Sequence, residues 1–479
     1  MILWRLITRG LGIISTLVLA HVLVPQDFGL VAIATTYVAA FDAISAIGLN
    51  EAIIKTSGSG ERLHNTAFTL AILRGVINGL IVAFSAPIVA SFFNEPRIIP
   101  ILYILAALVI LEGFENVGIV DFQRNLRFDK DFQLFLVPRL ISVMVTVSCA
   151  FVFRSYWALV AGITALRLVR LAATYFLHPY RPKLSLAEWR QIFGFSFWVW
   201  AGSIASFTRD RSWTVIVGRF FDPASVGSFT MASEIGLLPV SEIIYPICRA
   251  LFSGFSLAHH EGASMGSAFV RTIGVVAIVV LPAAIGISAV GSYIVDLALG
   301  SKWGNAAAIM QIVAAAAPFT ILTAIGGTIM NASGHIRNNF WIVSISAVIG
   351  IAVSTLMAAR FGMLGVAVAT GLLMTFEGLL FLVVTARSVG VSARDIMYRL
   401  WRPLSATLVM AAVMWTAGYG WRTTTVSTIG TFVDCGIAIA IGALAYTMSL
   451  GLLWKLSKDP DPLEGFLVNV LRKGIRGGN

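Results

Sequence analysis

A small set of charged side chains interrupts apolar stretches of this sequence, and their types indicate two kinds of chemistry. Arg209, Asp210 and Arg211 stand together within one stretch, while Asp42 and Glu234 stand within two others. The planar fork of arginine suits phosphate oxygens. A carboxylate inside a membrane is typical of ion pathways and proton relays. These residues therefore predict a site that binds an anionic group, a coupling ion, or both.

The spacing of the two arginines limits how they act together. Consecutive residues of a helix are about 100° apart, so Arg209 and Arg211 diverge by about 200° in a regular helix. One of them is expected to bind substrate and the other to pair with a carboxylate, and either can take either role. Arg9 and Arg74 are further candidates for holding the anionic group. The candidates for ion coupling or ion pairing are Asp42, Asp210 and Glu234.

Motifs that enzymes and metal sites require are missing from the sequence. It contains no P-loop, no H-E-x-x-H and no G-x-S-x-G motif. Its three cysteines and six histidines show no metal-ligand spacing. We therefore expect no catalytic residue, no metal and no cofactor, and transport is favoured over catalysis.

Composition predicts the class of protein that carries these charges. Of the 479 residues, 58% are hydrophobic and 12% are charged, whereas soluble domains carry about 25% charged residues. This excludes a large soluble enzyme, and disorder would need low hydrophobicity and high charge. A multi-pass membrane protein remains. Its net charge of +11 then indicates cytoplasmic loops rather than a nucleic-acid partner.

Apolar runs of about 20 residues predict an all-α protein with about fourteen transmembrane helices, among them 98–120, 340–359 and 362–385. Of the 34 Lys and Arg residues, twenty fall in the loops of one side, six in those of the other and eight within spans. This bias predicts that both termini are cytoplasmic. The outward loops are too short for an external catalytic domain.

The spans group into predicted domains. These are an N-terminal six-helix lobe (1–180), a cytoplasmic linker (181–191), a C-terminal six-helix lobe (192–386), helices thirteen and fourteen (387–454) and a cytoplasmic tail (455–479). In the linker, Ser185-Leu-Ala-Glu188 predicts a capping box that opens a short helix. The apolar spacing in the tail fits either a helix on the inner leaflet or a frayed end.

An internal repeat relates the two lobes at an offset of 198 residues. The turn Pro25-x-x-x-Gly29 links spans one and two, and Pro223-x-x-x-Gly227 links spans seven and eight. Proline ends one helix and glycine allows the next to pack closely. An offset of six spans preserves orientation, which predicts lobes related by a pseudo-twofold axis along the membrane normal and a substrate site between them.

Several blocks of this sequence, taken in order, resemble polysaccharide flippases of the Wzx type, within the superfamily of multidrug-and-toxin exporters and the peptidoglycan lipid flippase. The resemblance is dense over residues 1–260. The blocks are LAHVLVPQDFGLVA (19–32), GLNEAIIK (48–55), FFNEP (92–96), FQRNLRF (122–128), YWALVA (156–161), YRPKLS (180–185), FGFSFW (193–198) and VGRFFDPASVGSF (217–229).

The resemblance implies a function. Such proteins move an undecaprenyl-diphosphate-linked oligosaccharide from the inner to the outer leaflet of the bacterial cytoplasmic membrane for cell-surface polysaccharide biosynthesis, by alternating access through a cavity lined by spans one, two, seven and eight. Membrane lipid, an H⁺ or Na⁺ coupling ion and polysaccharide polymerase or assembly proteins are the implied partners. Three alternatives stay open: a multidrug or cation exporter of the same superfamily, a membrane glycan polymerase or ligase, and a non-transporting membrane scaffold.

Overall fold

The computed structural model describes residues 2–45, 61–125, 127–188, 197–244, 247–248, 265–421 and 428–457. The side chains of residues 2–9, 13, 123, 128, 428 and 429 lie outside this description. The tail helix predicted within 455–479 falls almost wholly on residues outside it. Within the described ranges the chain is helical and contains no strand, which confirms the predicted all-α class.

The chain divides into two compact units, and the first comprises Met1–Thr230, Ala298–Lys302 and Val343–Val366. Its helices up to residue 230 are connected mostly by short turns. They are α1 (Ile2–Val22), α2 (Pro25–Ile44), α3 (Glu61–Phe93), α4 (Ile98–Glu112), α5 (Val120–Arg124), α6 (Phe128–Phe153), α7 (Trp157–Leu177), α8 (Phe197–Phe220) and the start of α9 (Pro223–Gly236).

The second unit comprises Met231–Leu297, Trp303–Ile342 and Ala367–Asn479. Its helices, including one shared with the first unit, are α10 (Met265–Ile294), α11 (Gly304–Ala316), α12 (Thr320–Ala332), α13 (Ile336–Ser388), α14 (Ala393–Thr416) and α15 (Thr428–Leu456). A core that includes Phe269, Ile273 and Ile325 joins α10 to α12. A second core, around Tyr293, Met410 and Tyr446, joins α10, α14 and α15.

Length and composition identify this as a multi-pass membrane protein. Within the described ranges, eight helical stretches are long and apolar enough to cross a membrane. Their surfaces carry large apolar side chains where a soluble protein would carry charge: Phe176 is 89% exposed and Phe84 79% exposed. Such faces suit the hydrocarbon of a bilayer.

Helix limits broadly follow the predicted spans, and two of the differences lie at 98–120 and at 340–385. The span predicted over 98–120 is wrong at its far end, because α4 stops at Glu112 and the Asn116 side chain accepts a hydrogen bond from the Gly118 N–H, 3.0 Å away, which starts a new turn. The spans predicted over 340–359 and 362–385 form α13, whose two parts meet at Gly362, where φ is +67°. Glycine alone adopts that conformation readily.

The two Pro-x-x-x-Gly turns take the local structure that the repeat predicts. Pro25 and Pro223 are the first residues of α2 and α9, a position where the fixed φ and missing N–H of proline are favourable. In each turn an aspartate satisfies a free backbone donor. Asp27 Oδ2 accepts from the Val24 N–H at 3.2 Å, and Asp222 Oδ1 accepts from the Ser225 N–H at 2.9 Å.

Candidate functional site

Helix α8 carries the Arg209-Asp210-Arg211 segment at its midpoint. At 1.5 Å per residue, Arg209 lies about 18 Å from the start of the helix and about 17 Å from its end. Arg209 Nε lies 2.8 Å from Asp210 Oδ1, and the two side chains are 24% and 58% exposed. Arg211 is exposed. The helix is regular here, so the two arginines diverge as expected, and the carboxylate that pairs with Arg209 is its neighbour in sequence.

Contacts at both ends of α8 hold this segment in place. Near its start, Trp200 Nε1 donates to the carbonyl of Ile44 at the end of α2, at 2.7 Å. Near its end, the Arg219 guanidinium lies over the Phe92 ring, 5.6 Å from its centroid. Trp213 stacks on Phe229 of α9, with ring centroids 4.6 Å apart. Gly218, near the end of α8, lies against Ile33 of α2, whereas Trp200 near its start meets Ile44. Helix α8 therefore packs antiparallel to α2, with the arginines between these two contacts.

A second group of charges is shared by α2, α3, α4 and α7. Arg167 Nη1 lies 2.8 Å from Glu112 Oε2, and Arg170 Nε lies 3.2 Å from Glu115 Oε1. The Asp42 carboxylate interacts electrostatically with Arg74 and Arg167 and with the amide of Asn78. Asn78 Nδ2 also donates to Ser45 Oγ at 2.7 Å. We call this group the charge cluster. Its charged members are Asp42, Glu112, Glu115, Arg74, Arg167 and Arg170.

The charge cluster is electrically balanced, with three carboxylates and three guanidinium groups. It brings together two predicted site residues, Arg74 and Asp42. Four further members are not among the predicted site residues. Arg167 and Arg170 had a sequence signal, since their i, i+3 spacing puts both on one face of α7. Glu112 and Glu115 have the same spacing, but α4 ends at Glu112 and Glu115 lies in the turn that follows.

The remaining predicted site residues lie elsewhere. Arg9 belongs to α1, and its side chain is outside the described part of the chain. Glu234 is exposed on α9 and belongs to the second unit, whereas Asp42 and Arg209 belong to the first. Arg139, which is not a predicted site residue, lies against α1, with Nη2 2.9 Å from where a Cβ on Gly12 would stand. The roles assigned to all of these residues stay predictions.

The repeated turns touch each other. A Cβ added to Gly29 would overlap the carbonyl oxygen of Pro223, and one added to Gly227 would overlap that of Pro25. The contact is reciprocal, as for two copies related by a twofold axis. Asp27 Oδ1 also accepts from the Tyr156 N–H at 2.9 Å, which links the α6–α7 turn to this contact. We call this the short-turn end of the first unit, formed by the turns that precede α2, α7 and α9.

Comparisons with known proteins agree with this architecture. A model of the family described as polysaccharide biosynthesis protein matches residues 18–308. The succinoglycan biosynthesis transport protein ExoT of Rhizobium meliloti (strain 1021) is 26% identical over 311 residues, 64% of this chain and 63% of that protein, so the chain spans just under two thirds of this relative's length. The lipopolysaccharide biosynthesis protein WzxC of Escherichia coli (strain K12) is 23% identical over 423 residues, covering 85% of this chain and 84% of that protein.

Solved structures show the same fold at low sequence identity. The lipid II flippase MurJ in its inward closed conformation is similar with a TM-score of 0.75 and 14% identity, over 95% of this chain and 98% of that one. An inward-facing multidrug resistance MATE transporter is similar with a TM-score of 0.62 and 12% identity, over 79% and 94%. The predicted resemblance is confirmed, and because the family model matches more than half of the chain, this protein belongs to the polysaccharide biosynthesis protein family.

Proposed function

We propose that this protein moves an undecaprenyl-diphosphate-linked oligosaccharide from the inner to the outer leaflet of the bacterial cytoplasmic membrane. Both termini are on the cytoplasmic side in this proposal, and the short-turn end faces outward. Family membership and the transporter fold support a lipid-linked substrate in general. The product would reach polysaccharide polymerase or assembly proteins on the outer leaflet.

One observation carries the assignment of the binding site. The Arg209-Asp210-Arg211 segment places two arginines and one carboxylate at the middle of α8, about 17–18 Å from either end of the helix. Ionisable residues at such a depth in a membrane usually face a protein interior or a water-filled cavity and mark substrate or ion pathways. A diphosphate supplies two or more charges and oxygens that match the arginine fork. Arg209 and Arg211 are therefore the first candidates for holding it, and Arg74 and Arg9 follow.

In the proposed movement, only the polar head of the substrate passes through the protein. The polyprenyl tail stays in the bilayer while the sugar and diphosphate cross a water-filled cationic cavity by alternating access. The turns that meet at Gly29 and Gly227 have to separate when that cavity opens outward. Their close contact therefore suits a state that is closed at the short-turn end.

Two driving forces fit this chemistry. One elementary charge crossing 100 mV changes the free energy by about 2.3 kcal/mol, so exporting about two negative charges from a negative interior gains about 4–5 kcal/mol per 100 mV. The membrane potential alone is then sufficient to drive export. Alternatively, H⁺ or Na⁺ binding at Asp42, Asp210 or Glu234 couples transport to an ion gradient.

The test is reconstitution in vesicles that contain a labelled undecaprenyl-diphosphate oligosaccharide, with the inward or outward position of the glycan read from its accessibility to a membrane-impermeant glycosidase. Vesicles with the protein should transfer the glycan to the other leaflet, and empty vesicles should not. A cationic dye serves as substrate in a parallel series. Dye transport without glycan transfer would establish the drug-exporter alternative and contradict the proposal.

A further inference from the structure

The first part of the segment between α7 and α8 is fastened by hydrogen bonds to side chains of α3 and of the turn after α4. We call residues 178–188 the strap. Pro179 and Pro182 lack an N–H and disfavour helix, and the strap is accordingly non-helical. The predicted capping box is wrong, because the Glu188 N–H donates to Thr66 Oγ1 of α3 at 3.2 Å instead of to Ser185. The helix predicted to follow it lies outside the described residues.

Polar side chains near the start of α3 receive the strap. Asn65 Oδ1 accepts both the Tyr180 hydroxyl, at 2.5 Å, and the Lys183 N–H, at 2.7 Å. Thr69 Oγ1 accepts the Ser185 N–H at 2.8 Å. The backbone of the strap therefore depends on α3 side chains for hydrogen bonds that a helix or sheet would otherwise supply.

Two histidines meet one carboxylate where the strap begins. His178 Nε2 lies 3.8 Å from Asp121 Oδ2, and His64 Nε2 lies 3.4 Å from Asp121 Oδ1. The His64 side chain is 8% exposed, that of His178 15% and that of Asp121 29%. On the other side of its ring, His178 Nδ1 accepts the Tyr180 N–H at 3.2 Å. Among the described residues, no group of three or more His, Cys, Asp or Glu side chains is arranged to hold a metal ion.

This geometry depends on the protonation state of His178. Nδ1 accepts a hydrogen bond only when the ring is neutral, with its proton on Nε2 toward Asp121. Protonation places a second proton on Nδ1, which then faces the Tyr180 N–H donor. The charged and titratable groups around His178 are Asp121 from α5, His64 from α3, and Tyr180 and Arg181 from the strap.

The balance of these groups favours the neutral ring. Burial is the largest influence and lowers the pKa of His178 from its usual value. The Asp121 carboxylate raises this pKa, whereas His64 and Arg181 lower it. The usual pKa of histidine is about 6.5. Above this pH the His178 ring is neutral and the docked arrangement is stable, whereas at lower pH protonation opposes docking and this stability is lost. Docking of the strap is therefore expected to be stronger at neutral pH than in acid.

We propose that the strap is a proton-released latch: neutral His178 docks residues 178–188 on α3, and protonation from the cytoplasmic side frees them. The inference rests on the proposed function for its orientation and its effect on transport. Because α8 follows the strap in the chain, a docked strap restrains the inner end of the helix that carries Arg209 and Arg211. Release of the strap then lets α8 move more readily and makes transport faster.

Hydrogen exchange tests docking without relying on transport. In nanodiscs, protection factors of the amides in 183–188 should fall about fivefold between pH 7.5 and pH 5.5, in line with the loss of one hydrogen bond. His178→Gln should remove this pH dependence, and Asn65→Ala should leave the strap unprotected at both pH values. His21→Gln is the matched control, because His21 is exposed and its Nδ1 hydrogen-bonds to the Leu17 carbonyl of its own helix. Unchanged protection in the wild type, or a retained pH dependence in His178→Gln, would overturn the latch.

A transport assay tests whether release of the strap makes glycan transfer faster. Lowering the pH on the cytoplasmic face of reconstituted vesicles from 7.5 to 6.0 should raise glycan transfer severalfold in the wild type and in His21→Gln, but not in His178→Gln. A wild-type rate that stays constant or falls overturns the regulatory role. Absence of glycan transfer at every pH would contradict the proposed function instead, and the exchange experiment would still decide whether the strap undocks.

Discussion

Gly29 and Gly227 lie face to face, and each occupies a place where the other turn leaves no space for a side chain. A Cβ on either residue would stand 3.0 Å from the backbone nitrogen of the other and would overlap a proline carbonyl oxygen. The two residues occupy equivalent positions in the repeat, 198 residues apart. The contact thus joins two copies of one motif, and in the proposed transport cycle these two helix starts separate when the cavity opens outward.

Adding a methyl group to either glycine should weaken this contact. Overpacking costs about 1–3 kcal/mol, so we expect Gly29→Ala and Gly227→Ala each to lower the thermal midpoint of the purified protein by about 5 °C. Gly202→Ala, in α8 with no neighbour within 4 Å of the added Cβ, is the control and should change it little. The double variant should lose less than the sum of the two, because one contact is broken twice. Full additivity would contradict a shared contact.

The sequence predicted this contact in part. Pro-x-x-x-Gly spacing indicated two tight helix starts, and the repeat indicated that they are equivalent. That the two turns touch depends on how α8 packs along α2, which Trp200, Phe92 and Arg219 help to set. These contacts join residues more than 100 positions apart, and no local pattern encodes them.

The pair of Glu112 and Arg167 should be strongly coupled. Removing one partner leaves an unpaired charge within the membrane, whereas removing both leaves none. We expect the losses of stability in Glu112→Gln and in Arg167→Gln to add up to more than the loss in the double variant, with a coupling energy of about 1–3 kcal/mol. The measurement is a double-mutant cycle on denaturation in detergent.

The exposed pair of Arg127 and Asp129 provides the comparison for this cycle. Its Nε–Oδ1 distance is 3.2 Å and the two side chains are 58% and 57% exposed, so its coupling energy should be well below that of Glu112 and Arg167. Equal coupling energies in the two pairs would show that the surroundings of the charge cluster do not strengthen its ion pairs.

The charge cluster shows which contacts local sequence patterns do not encode. Each of its charges is unusual within or beside an apolar span, and the i, i+3 spacing of Arg167 and Arg170 on α7 is evident from the sequence. Pairing requires the rotation of each helix about its axis, which depends on packing between helices. The grouping of His64, Asp121 and His178 is even less predictable from the sequence. Each residue is 57 positions from the next along the chain, and each stands alone in its own segment.

Collapsing the membrane potential separates the two driving forces. If the potential drives export of the diphosphate, glycan transfer in vesicles should stop when the potential is removed and the pH gradient is kept. Asp42→Asn should then retain its dependence on the potential. Unchanged transfer without a potential would reject this version and favour ion coupling at a carboxylate.

The most direct measurement of the central claim is glycan transfer by the double variant Arg209→Ala, Arg211→Ala in reconstituted vesicles, with equal amounts of inserted protein. The account predicts at least a tenfold loss, with Arg209→Lys intermediate because lysine lacks the planar fork. Arg360→Ala, which removes an exposed arginine of α13, is the control and should retain most of the activity. Full transfer by the double variant would contradict the claim that these arginines carry the diphosphate across the membrane.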